Sequence, residues 1–228
     1  MKQEYVSARY LLYEGLHTEE PHLSDKNVHL ENTLDYPVYS FNAEKVRIAM
    51  RMAYSLFDKI ASFIQYYFEL SYIPTHKLNF GNVWYKSQGR NKLAPEFDGH
   101  ENWPLRGLLW LSKDLEFFSQ MYVEASMDPG AKEIRDTRNE LEHGYLKLHE
   151  PMWAGNNGGS RLQDELAMSL DRRKFEELSL KSLRKARSAL IYLSLAIQQQ
   201  ERTKKDDLDD DEMLAPVHLG RWEDEWKR

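Results

Sequence analysis

No cysteine occurs anywhere in the 228 residues, which excludes disulfides, thiolate metal sites and cysteine nucleophiles. Long apolar runs are missing too. None approaches the roughly 20 residues a membrane-spanning helix needs, and the opening MKQEYVSARYLLYEG is too charged for a secretory signal. The expectation is a soluble, cytoplasmic protein. No stretch alternates apolar and polar residues well enough to predict a strand, and no internal repeat is visible. Chemical signatures are also lacking. The histidines at 17, 22, 29, 76, 100, 149 and 218 show neither helical i, i+4 pairing nor HExxH spacing, so no metal and no cofactor is assigned. The glycine-rich loop at 155–159 does not end in Gly-Lys-Ser/Thr, and no nucleophile elbow is present.

What remains is a chain with enough apolar residues to fold, 41% hydrophobic and 12% aromatic. The net charge of −6 is unevenly spread. Residues 204–228 hold nine acids and five bases, so the body of the chain is close to neutral and local patches matter more than the total. The first half of the region 171–202 is one such patch, with Arg172, Arg173, Lys174, Lys181, Arg184, Lys185 and Arg187. Arg184, Lys185 and Arg187 are candidate contacts for a phosphate backbone.

Periodicity is helical almost throughout. Residues 3–16 predict a short helix, and 42–71 the strongest one, with Asn42 as N-cap and Val46, Ala49, Ala53, Leu56, Phe57, Ile60 and Ile64 on one face. Residues 17–41 and 72–103 read as connections, the second packed on the bundle through Phe80, Val83, Trp84 and Tyr85. Asn102-Trp103-Pro104 and Asp128-Pro129 each start a helix with proline in the first turn. The stripe Ile134, Leu141, Tyr145 and Leu148 carries the second of these helices past residue 145. Residues 171–203 form the last long helix. The fold class is therefore all-α: an up-and-down helical bundle with long connecting loops, a domain over 1–203 with its core at about 42–200, and an acidic, flexible tail at 204–228.

The most informative stretch is Ile134-Arg135-Asp136-Thr137-Arg138-Asn139-Glu140-Leu141-Glu142-His143-Gly144-Tyr145. An arginine for phosphate charge and an imidazole for proton transfer are what metal-free RNA cleavage requires. At about 100° per residue, Asn139 and His143 share a face, while Arg138 lies about 140° from His143, at the edge of the apolar stripe. A long arginine stem can still swing its head outward. One copy of this helix leaves the site incomplete, and a second copy across a two-fold axis completes it.

Arg138-Asn139, three residues, then His143 resembles the signature of the HEPN superfamily. KVRIAMRMAYSLFDKIASFI and ENWPLRGLLWLSKDL are similar to a bacterial branch in which the domain follows helical repeats. The resemblance covers roughly residues 42–200 and implies a HEPN-type bundle, a homodimer, and a metal-independent endoribonuclease acting in defence or as a toxin. Its partners are RNA and an antitoxin or an N-terminal regulatory region. It implies catalytic roles for Arg138, Asn139 and His143, with Arg135 an added RNA contact. Tyr145 resembles the tyrosine that a partner antitoxin adenylylates in HEPN–nucleotidyltransferase pairs. The rival expectation is a HEPN-like domain that binds RNA or nucleotide, or holds an assembly together, without cutting.

Overall fold

The computed structural model describes residues 1–29, 37–86, 92–98, 101–115, 128, 130–150, 166–206, 220–221 and 223–227. Five helices carry it: α1 (Lys2–His17), α2 (Phe41–Tyr67), α3 (Trp103–Asp114), α4 (Ala131–His143) and α5 (Arg172–Asp206). Two short strands, β1 (Tyr145–His149) and β2 (Ala167–Asp171), pair in parallel. Helices dominate, and the all-α expectation holds with this small sheet added.

α2 is the central element because its apolar residues surround much of its circumference. Met50, Ala53, Leu56, Phe57, Ile60 and Ile64 are fully buried. Burying a side chain such as Phe57 or Ile60 contributes about 1.5–3 kcal/mol. Its N-cap is Ser40, whose hydroxyl accepts from the Ala43 N–H at 3.2 Å. The predicted cap, Asn42, lies inside the first turn and donates from Nδ2 to the Thr18 carbonyl at 2.8 Å. α1 lies close against α2 at Gly15, where a Cβ would come within 2.7 Å of the Asn42 carbonyl and a Val46 methyl. The connection after α2 packs as expected. Trp84 is fully buried, its indole N–H donates to the Phe80 carbonyl at 2.7 Å, and its ring meets Phe97 edge-on at 5.2 Å.

Asn102 caps α3 by accepting from the Leu105 N–H at 3.1 Å, with Pro104 in the first turn. Its Nδ2 also donates to the Ala196 carbonyl, tying α3 to α5. The apolar spacing of Leu105, Leu108, Leu111 and Leu115 runs on in the sequence to Phe118 and Tyr122, which lie outside the described residues, as do the glycine loop at 155–159 and residues 207–219 of the acidic tail.

Two differences concern the motif helix. α4 starts at Ala131 behind Gly130 rather than at Pro129; Asp128 accepts the Gly130 N–H at 2.9 Å. It also stops early. Gly144 takes an extended conformation (φ −130°, ψ −156°), and the chain enters β1. Tyr145 and Leu148 therefore belong to a strand and not to the helical stripe. β1 pairs Tyr145 with Ala167 and His149 with Asp171, and its other edge receives the Val38 N–H at the Leu148 carbonyl (2.7 Å). Five-residue strands whose partner lies over twenty positions away leave no local signal. No described helix is long and apolar enough to cross a membrane.

Candidate active site

α4 buries Ala131, Ile134, Thr137 and Leu141. That spacing turns Asn139 and His143 outward on the opposite face, and both are exposed. Arg138 sits at the margin of the buried stripe and is half-buried. Its guanidinium lies over the ring of Tyr54 on α2, 5.0 Å from the centroid, which is a cation–π distance. The same head reaches the other way, donating from Nη1 to Asn139 Oδ1 at 3.2 Å. Arg138 thus bridges from α2 to the line of residues that ends at His143.

Asp58, one turn beyond Tyr54, completes the surroundings of Arg138. Burial pushes its carboxyl above the ordinary range, while Arg138 and the Phe80 N–H pull against that shift. Burial also pushes the Tyr54 phenol up to about 12, against the pull of Arg138. The ring under the guanidinium is a neutral phenol at neutral pH.

Farther back along the same line of α2, Arg51 and Arg47 reach the end of α4. Arg51 Nη2 donates to the Leu141 carbonyl, and its Nε is 3.8 Å from Glu142. Arg47 Nη2 donates to the Leu146 carbonyl of β1 at 3.0 Å and pairs with Glu44. Cations at unsatisfied carbonyls of a helix end are favourable both as caps and against the helix dipole. The positions 47, 51, 54 and 58 follow a 4-3-4 spacing, so a single polar line of α2 serves Leu146, Leu141 and Arg138 in turn. Sequence reasoning missed this line. The available signal was polar residues at helical spacing beside the strongest apolar stripe of the chain. Glu142, one turn after Arg138, faces Arg51.

The other predicted residues divide. Tyr145 is 64% exposed at the first position of β1. Arg135 donates to Asp136 at 3.1 Å. Lys185 is held between Asp128 (2.9 Å) and Asp114 (3.9 Å), which removes it from any open basic surface. Lys174 meets Glu133 at 2.7 Å, and Arg172 meets Glu150 and Glu176. Arg184 and Arg187 are exposed on α5 and form no ion pair among the described residues. Phe80 and Trp84 are buried and present no face to a base. Among the described residues no group of three or more His, Asp and Glu could hold a metal ion.

A family model described as LA2681-like HEPN matches residues 1–200. The chain belongs to the LA2681-like HEPN family. No curated protein and no solved structure matches it. The match to the HEPN model takes in α1, which lies before the expected resemblance, and ends within the last turns of α5. In this HEPN chain the arginine, the asparagine and the histidine of the motif all fall on α4, and α2 supplies the groups that hold the arginine.

Proposed function

We propose that this chain is a metal-independent endoribonuclease. The observation that carries the reading is the bond from Arg138 to Asn139, which aims the guanidinium toward the exposed line shared with His143. In the reaction the RNA 2′-oxygen attacks the adjacent phosphorus, and the bond to the 5′-oxygen breaks. His143 takes the 2′-hydroxyl proton or delivers one to the leaving oxygen. Arg138 stabilises the charge that gathers on the phosphorane oxygens. Asn139 holds Arg138 and orients the phosphate. The product carries a 2′,3′-cyclic phosphate, and DNA, lacking the attacking hydroxyl, is left intact.

Within one helix Arg138 and His143 point about 140° apart, so a homodimer in which each copy supplies part of one cleft completes the site and lets two histidines divide the acid and base roles. Arg184 and Arg187 provide an RNA-backbone surface. The setting is defence or toxin–antitoxin, and the exposed Tyr145 is open to adenylylation by a partner enzyme. The test is purified protein incubated with RNA in EDTA. Cyclic-phosphate ends are expected. RNA retained but not cut would replace this reading with a binding domain of the same fold.

A further inference from the structure

A cavity of about 440 Å³ opens where α4 ends, lined among others by Tyr39, Arg51, Glu140, Gly144, Tyr145 and Lys147. Its volume falls in the range of small-ligand sites, about 300–1,000 Å³. Glu140, Leu141 and Gly144 of its lining flank His143 in the chain, which puts the cavity at the end of α4 that carries that imidazole. Two of its walls are tyrosines with exposed rings, Tyr39 at 49% and Tyr145 at 64%. Arg51 and Lys147 bring positive charge to it, and Arg51 is fixed in place by the Leu141 carbonyl.

Glu140 decides what fits. Its carboxylate lies over the Cα of Gly144, in the space a side chain at 144 would occupy. The residue is half-buried, and its side chain makes no hydrogen bond or ion pair among the described residues. An ionised carboxylate accepts only, and its two oxygens match two N–H donors side by side. Among the four bases, guanine alone presents adjacent donors on its Watson–Crick edge, N1–H and the N2 amino group. Adenine and cytosine set an acceptor next to their amino group, and uracil flanks its N–H with two carbonyls. Exposed tyrosine rings supply the stacking surface that any base uses.

We infer that this cavity is a guanine-binding subsite, with Glu140 reading the base edge and Tyr39 and Tyr145 taking its faces. It rests on the ribonuclease reading for its place in the reaction: the base seated there belongs to a nucleotide flanking the scissile phosphate. Cutting is then biased toward steps that contain guanosine.

The test separates the subsite from the cleavage. Full-length protein, wild type and His143→Ala, is titrated by calorimetry with guanosine, adenosine, cytidine and uridine 3′-monophosphates. Guanosine 3′-monophosphate is expected to bind at least about tenfold more tightly than the others to both proteins. Glu140→Gln, which replaces one acceptor by a donor, should bring the four within about threefold. Gly144→Ala keeps the carboxylate but drives it from its place, and should erase the preference in the same way. Equal binding of the four nucleotides, or a guanosine preference that survives both substitutions, overturns the proposal. RNA cut in EDTA with no base bias at the mapped ends also overturns it while leaving the ribonuclease reading intact. Guanosine selectivity in a protein that cuts no RNA upholds the subsite and removes that reading instead.

Discussion

At its start, α4 is held by side chains that meet side chains: Lys185 on Asp128, and Lys174 on Glu133. At its end, Arg51 and Arg47 hold main-chain carbonyls of Leu141 and Leu146, with Arg51 also 3.8 Å from the Glu142 carboxylate. The difference matters for function. Ion pairs at the start consume the polar groups there, whereas main-chain anchoring at the end fixes the helix and leaves the side chains of Glu140 and His143 without an ion pair among the described residues, with Asn139 turned toward Arg138. The side chains proposed to act on RNA cluster at the end that is held through its backbone.

The sharpest way to break this contrast is at the exposed end itself. His143→Ala should lower RNA cleavage by about 10²–10⁴-fold, the usual scale of general acid–base catalysis. Arg138→Ala should cost about 10²–10³-fold, with thermal midpoints of both variants near wild type. Full cleavage by either variant removes its residue from the reaction. Next comes the anchor. Arg51→Ala should destabilise the protein by about 1–2 kcal/mol in urea unfolding, because a charge-assisted bond to a helix end is lost. It should also slow cleavage by loosening the last turn of α4. The matched change at the other end, Lys185→Ala, should cost about 1 kcal/mol or less and leave the cleavage rate alone. Equal effects on rate from the two ends would dissolve the distinction.

The two ends also differ in the sign of their pH response. Burial pushes the Asp128 carboxyl up, but Lys185, the Gly130 N–H and Lys181 outweigh it and hold it below the ordinary 3.8. Its contribution is present above that value and is lost as pH falls through the depressed one. Asp58, beneath Arg138, is raised above 3.8. The folded protein therefore binds its proton more readily, and stability falls as pH rises from 3.8 through the raised value. Thermal midpoints across the acidic range should lose the first dependence in Lys185→Ala and the second in Asp58→Asn. An Asp58→Asn profile that superimposes on wild type would contradict the buried, raised carboxyl.

Much of this arrangement could be read before the fold was known. The apolar stripes of α2 and α5 were legible because helical burial repeats every three or four residues, and Asn102 was legible as a cap because its partner is only three residues away. The outward placement of Asn139 and His143 followed from the same periodicity. The end of α4 did not. Tyr145 and Leu148 continue the helical pattern, and only pairing with β2 and with Val38 takes them into a strand. The Arg51–Leu141 bond joins positions 90 apart and depends on how α2 crosses α4. Lys185 looked like its neighbours Arg184 and Arg187 in a basic run, and only the packing of α5 against Asp128 sets it apart. That separation gives the smallest prediction. Arg184→Glu with Arg187→Glu should flatten the salt dependence of RNA binding by roughly one to two units of slope, and Lys185→Ala should leave the slope unchanged.

The claim beneath all of this is that the 2′-hydroxyl next to the cut phosphate is the nucleophile, handled by His143 and Arg138 without a metal ion. A synthetic RNA with one 2′-deoxynucleotide placed at a mapped cut position, incubated in EDTA, tests it directly. Cleavage should vanish at that position and continue at the others. Continued cleavage at the deoxy position, or cleavage anywhere only after magnesium is added, would contradict the account.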